Sequence, residues 1–229
     1  VDVNGRLELT ISRDGGRSWA YRGIVADGPA DDRNPAIGFA ADGTLLIGYA
    51  TLEGFDSTGR WLPERTVFTP YMIRSTDLGA TWSERQRLDI RPFQWSNVYS
   101  QIALDPNGTL HLQGFGGTLP VYSDTGKSAD SAGYFSYTRT SRDNGRTWGT
   151  PQVIGRHLNE AALLVVSSTL SIAAVRDMIG TLFFASRTGA SASWHVTCQL
   201  SSDQEHPANL TMLPTGVILL TYGIRHTPY

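Results

Sequence analysis

One octapeptide pattern, met again and again along the chain, constrains the fold more than any other feature. It reads Ser12-Arg13-Asp14-Gly15-Gly16-Arg17-Ser18-Trp19, returns as Ser75-Thr76-Asp77-Leu78-Gly79-Ala80-Thr81-Trp82, and returns again as Ser141-Arg142-Asp143-Asn144-Gly145-Arg146-Thr147-Trp148. A degenerate copy over residues 186–194 is one residue longer and lacks the aspartate. The pattern S-x-D-x-G-x-[ST]-W sets four of the six tryptophans at the same point of a repeat. Self-similarity of this kind requires one supersecondary unit copied along the chain.

A second pattern interleaves with the first. Residues 35–39 turn at Asp42-Gly43 into Leu45-Leu46-Ile47, and residues 102–104 turn at Asn107-Gly108 into Leu110. Residues 161–166 turn at Ser167-Ser168 into Leu170, and residues 207–213 turn near Thr215-Gly216 into residues 217–220. Asp-Gly or Asn-Gly between apolar runs is a strong hairpin signal. Each unit then holds four antiparallel strands, A and B around a two-residue turn, C and D around the octapeptide. Strand C is expected near 6–12, 69–75, 133–141 and 180–186. Such a unit is a propeller blade, so the expected fold is all-β, a β-propeller of four-stranded antiparallel blades. The chain opens on a C–D half-blade, runs through three blades and ends on an A–B hairpin, which predicts a single domain over 1–229 that is incomplete. In the octapeptide, Asp and Ser can bond the turn's own backbone, Gly supplies a positive φ, and Trp can cover the gap between blades.

Charge narrows the function classes. Lys+Arg 19 against Asp+Glu 21 gives a net charge of −2, so no bulk positive field exists to hold nucleic acid or an anionic membrane. No apolar run approaches the roughly 20 residues of a membrane span. Lys127 is the only lysine, so the cations are almost all planar guanidinium forks suited to carboxylates. The single cysteine, Cys198, rules out intramolecular disulfides and cysteine-rich zinc sites. His157 and His206 have no metal-ligand spacing, and no cofactor is expected.

In an A-B-C-D meander, the segments before strand A and after strand B share one face. Arg33, Tyr99, Glu160, Glu53, Asp56, Arg176 and Arg225 fall there. Three arginines with several carboxylates on one face suit a carboxylated sugar, because guanidinium forks grip carboxylates bidentately. A carboxylic acid whose pKa is held up can protonate a glycosidic oxygen. Trp61 and Trp95, outside the octapeptides, either stack on sugar or fill blade interfaces. The long Gly/Ser/Asp-rich segment 114–133 could form a rim over this face.

The three near-perfect octapeptides resemble the Asp-box, or BNR, repeat of sialidases, a repeat also carried by sortilin-type receptors, some endoglucanases and photosystem assembly factors. The resemblance implies a six-bladed sialidase-like propeller of which this chain supplies about four blades. It also implies an exo-glycosidase that removes terminal sialic acid, or a related acidic sugar, from glycoconjugates without a cofactor, using a tyrosine nucleophile. Arg33-Asn34-Pro35-Ala36 looks like the family's Arg-Ile-Pro motif, with Asn in place of Ile, and would supply the first carboxylate-binding arginine. Asp56, 23 positions later, is similar to the family's acid/base aspartate; Glu53 competes for the role, and Asp-Ser-Thr-Gly is also an ordinary turn. Asn159-Glu160 before strand A and Arg176 after strand B look like the pairing of a tyrosine-activating Glu with the second arginine. Arg225 is the candidate third arginine; the family places that arginine and the tyrosine in later blades, and only Tyr229 stands at the tip here. The resemblance alone points to an extracellular or periplasmic location. The alternative reading is a non-catalytic Asp-box propeller that binds glycans or proteins. A third is a glycosidase for a different acidic sugar, in which Arg33 and Arg176 keep their roles and Asp56 and Glu160 take others.

Overall fold

A computed structural model describes residues 5–118, 133–189, 192–201 and 208–224. The strands group as the repeats demand. A first hairpin, β1 (Leu7–Ile11) and β2 (Ala20–Ala26), precedes three antiparallel meanders of four strands each. The first unit is β3 (Asp31–Phe39), β4 (Leu45–Glu53), β5 (Val67–Ser75) and β6 (Gln86–Arg87). The second is β7 (Trp95–Leu104), β8 (Leu110–Gly117), β9 (Tyr134–Ser141) and β10 (Gln152–Arg156). The third is β11 (Leu158–Val165), β12 (Leu170–Asp177), β13 (Leu182–Thr188) and β14 (His195–Ser201), and a hairpin of β15 (Asn209–Met212) and β16 (Ile218–Thr221) follows. The expected strand C segments are β1, β5, β9 and β13, within two residues at each end.

Two features differ from the sequence reading. The A–B turns enclose three residues rather than two: Ala40 N donates to Thr44 O and Gly43 N to Ala40 O, with Gly43 at φ 83°. The same bonds recur from Asp105 to Thr109 and from Leu213 to Val217. This is a type I turn followed by a glycine bulge, which suits strand twist as well as the two-residue turn does. In addition, the first and second units merge into one eight-stranded sheet through a parallel bridge between β3 and β7 at Ile37 and Gln101. Gly38 makes that approach possible, since a Cβ there would stand 2.1 Å from the Ile102 carbonyl oxygen.

The octapeptide turns are built alike. In the second, the Ser75 hydroxyl donates to Asp77 Oδ1 at 2.7 Å and accepts the Gly79 amide at 2.7 Å, while Asp77 accepts the Thr81 amide at 2.8 Å and hydroxyl at 2.6 Å. The first and third repeat these bonds at Ser12–Asp14–Ser18 and Ser141–Asp143–Thr147. The third turn and the degenerate copy also reach the preceding unit: Asn144 Nδ2 donates to Asp42 Oδ2 at 2.7 Å, and Trp194 Nε1 donates to Thr138 Oγ1 at 3.3 Å. The core lies between units as a result. Ala36, Leu46 and Met72 of the first unit pack with Val98, Ile102, Leu110 and Leu112 of the second, closed over by Trp148.

Candidate functional site

The inner strands β3, β7 and β11 bend where the candidate residues sit. Register slips fall between Arg33 and Ala36, between Tyr99 and Ile102, and between Leu158 and Ala161. Asn34 and Ser100 take φ values of 55° and 74° inside the first two. A bulge re-aims the side chains beside it, which explains why polar groups gather at these strand ends.

Glu160 and Arg176 face each other across β11 and β12. Arg176 Nε and Nη2 both reach Glu160 Oε2 at 2.7 Å, and Nη1 donates to the Asp177 carbonyl at 3.2 Å. The side chains are 14% and 15% exposed, so this is a sheltered ion pair with one edge open to solvent. Tyr99 of β7 lies within electrostatic reach. Burial pushes its phenol pKa up, the Glu160 charge adds to that, and Arg176 opposes it. Tyr99 packs against the Trp95, Phe115 and Tyr134 cluster together with Met178. Trp95 is buried in that cluster, edge-on to Phe115 and Tyr134, so it fills an interface rather than a sugar-stacking position.

Arg33 stands two strands away on β3. Its Nη2 meets the Asp31 carboxylate at 2.5 Å, and Asp31 is buried while the arginine side chain is one-third exposed. Asp31 thus fixes a guanidinium whose outer edge faces solvent. Between the two arginines runs β7, bridged to β3 at Gln101 and bonded to β11 from Gln101 Nε2 to Leu163 O at 2.9 Å. Among the described residues no hydrogen bond or ion pair joins Arg33 to Glu160 or Arg176.

Asp56 is held differently. Its Oδ1 accepts the Thr58 hydroxyl at 2.7 Å and the Thr58 and Arg60 amides at 2.9 and 3.0 Å, closing a small loop that the Phe55–Trp61 bridge ties off. The Thr58 hydroxyl, then the two amides, lower its pKa. An acid catalyst needs the opposite environment. Trp61 donates its indole N–H to Thr66 Oγ1 at 2.9 Å and steadies this loop. Arg225 and Tyr229, with Lys127 and His206, lie outside the described residues. Among the described residues no cluster of His, Cys, Asp or Glu could hold a metal.

Asp31 and Tyr99 are the two site residues to which the sequence assigned no role. The Asp31-x-Arg33 spacing, which puts both side chains on one face of a strand, was the available signal for the first. Asp32, on the opposite face of β3, lines a separate cleft of about 380 Å³ with Tyr49, Trp82 and Arg85; burial raises its carboxyl pKa, and Gly28 N donates to it at 2.8 Å.

Comparison with known proteins agrees with this architecture. The BNR repeat-like domain profile matches residues 4–224. No curated protein matches the sequence. Among solved structures, a protein of unknown function from Dyadobacter fermentans superposes with a TM-score of 0.76 at 21% identity, covering 99% of this chain and 66% of that one. A Hadza microbial sialidase follows at 0.72 and 16%, covering 97% and 48%. Trypanosoma rangeli sialidase gives 0.65 and 13%, covering 97% and 39%. The chain therefore spans less than two thirds of each, and identities this low carry the fold alone.

Proposed function

Because the chain belongs to the BNR repeat-like domain family, we propose that it forms part of a sialidase-like propeller whose mouth grips the carboxylate of a terminal acidic sugar. In this reading β1–β2 and β15–β16 are half-blades of a closed ring, and the partner is a sialylated or otherwise acidic glycan. Arg33, pre-positioned by Asp31, and Arg176, pre-positioned by Glu160, bind the carboxylate, with Arg225 as third arginine. The Glu160 carboxylate takes the proton of a tyrosine nucleophile, and Asp56 protonates the leaving oxygen once substrate displaces its Thr58 and Arg60 bonds. Tyr99 is not that nucleophile, since its surroundings favour the neutral phenol; it forms a wall of the site. The observation that carries the reading is the sheltered Glu160–Arg176 pair at the ends of β11 and β12, beside a tyrosine.

One observation favours a second reading, a non-catalytic glycan-binding propeller: Asp56 is locked in its own loop with its acidity increased. The two separate on release of fluorophore from an aryl α-sialoside by the complete natural open reading frame. Turnover that disappears in both Glu160→Gln and Arg176→Ala is the expected result. A folded wild type that binds acidic glycans without turnover establishes the second reading, and one that does neither removes both.

A further inference from the structure

On the face opposite the mouth, two buried basic side chains meet between the second and third units. His111 of β8 and Arg187 of β13 are 3% and 2% exposed. A cavity of about 10 Å³ lies beside them, lined also by Ser167, Thr169 and Ser171. That is room for one occupant the size of a water or a single-atom ion.

The buried cation beside this cavity has no direct partner of opposite charge among the described residues. Arg187 donates from Nη1 to Gln152 Oε1 and lies 5.0 Å from the centroid of the Trp194 ring, but no carboxylate comes within ion-pair distance of it among the described residues. Burial lowers its pKa, the mark of a desolvated cation. Asp105 also lines the cavity, yet it is already engaged: Oδ1 accepts the Asn107 and Thr109 amides, both at 2.9 Å, and Oδ2 pairs with His111 Nε2 at 3.1 Å. With Nε2 fixed, His111 is left with a buried Nδ1 that has no hydrogen-bond partner. A buried guanidinium without a counter-charge is costly, and a water supplies a dipole where a charge is missing.

We propose that this cavity binds a small inorganic anion of the halide class, held by Arg187, by the hydroxyls of Ser167, Thr169 and Ser171, and by the Nδ1–H of a protonated His111. The size of the cavity sets the class, since carboxylate and phosphate do not fit. With the anion in place, His111 balances Asp105 and Arg187 balances the halide. The charged groups facing the imidazole are Asp105, from the β7–β8 turn, and Arg187, from β13. Burial lowers the imidazole pKa, Arg187 adds to that, and Asp105 opposes it. Without the anion the ring is neutral near pH 7 and turns a lone pair to the cavity. Halide uptake therefore brings a proton with it, and affinity rises as pH falls. The occupied site fastens the A–B turn of one unit to its neighbour.

Thermal unfolding of the full chain at constant ionic strength, with bromide exchanged for gluconate, tests this. The expected result is a saturable rise in Tm that is larger at about pH 5.5 than at about pH 8. Arg187→Gln should raise the half-saturating bromide concentration about tenfold or more. If that variant does not fold, His111→Gln serves, because it should remove the pH dependence. Bromide-soaked crystals of the unaltered chain should show an anomalous peak between His111 and Arg187. An ordered water there without anomalous signal, or a Tm indifferent to the anion, overturns the proposal.

Discussion

At the scale of single residues, the most consequential pair is Glu160 with Arg176, because each keeps the other's charge tolerable in a sheltered place. Removing one partner leaves the other uncompensated. Since an edge of the pair is open, Arg176→Ala should cost about 2 kcal/mol in urea unfolding, below the ~3–5 of a fully buried pair. Adding Glu160→Gln to Arg176→Ala should recover part of that loss. Equal, additive costs would mean the two side chains do not depend on each other. The pair was legible in the sequence because motif and spacing placed both ends on one face. Asp31 was not, since an acidic residue before a strand has many ordinary uses and only the three-dimensional contact gives it one. Asp56 shows the converse: its spacing from Arg33 matched a catalytic position, while the local Asp-Ser-Thr-Gly chemistry made a self-satisfied turn.

Among elements, the octapeptide turns carry the fold, and burial decides how much each contributes. Ser141 is buried and its hydroxyl accepts the buried Gly145 amide at 2.9 Å, so Ser141→Ala strands a donor away from water and should cost about 1–3 kcal/mol. Ser12→Ala, in a solvated copy, should cost far less in the same unfolding experiment, and similar losses would refute burial as the controlling variable. The aspartates add a pH signature. Asp14 and Asp77 are held at about 2, against an ordinary 3.8, chiefly by the hydroxyls of Ser18 and Thr81. Partial burial works the other way at Asp143, but the Thr147 hydroxyl and amide bring it to about 2 as well. A lowered folded-state pKa means stability that is complete above the unfolded value and lost as pH falls through the folded one. Stability should therefore decline from about pH 4 and go on declining towards pH 2, and Asp77→Asn should flatten that slope. The strand C positions were readable to within two residues because turn chemistry punctuates them. The three-residue A–B turn was not, because Asp-Gly serves both turn types.

For the whole molecule, the question is whether any unit is a unit of folding, and the placement of the core argues against it. Four of the five buried clusters among the described residues take residues from two neighbouring groups of strands: Leu7 of β1 packs with Ile47 and Ile73, and Leu210 of β15 packs with Ile172 and Leu182. Sequence periodicity reveals the repeat but not this sharing, because an apolar strand reads the same whichever neighbour covers it. Gly145 shows how close the sharing is. A Cβ there would come within 2.0 Å of Leu46 Cδ2 in the preceding unit, so the third octapeptide turn rests directly on the first unit's core. Leu46, fully buried, is consequently common property. Leu46→Ala should cost about 2–5 kcal/mol, and amide exchange should quicken in β7–β10 as well as in β3–β6. Faster exchange confined to β3–β6 would show that the units fold separately. The same sharing predicts that a peptide of residues 31–87 has no sheet signal in circular dichroism, since on its own it would expose Ala36, Leu46 and Met72 to water in place of the second unit that covers them.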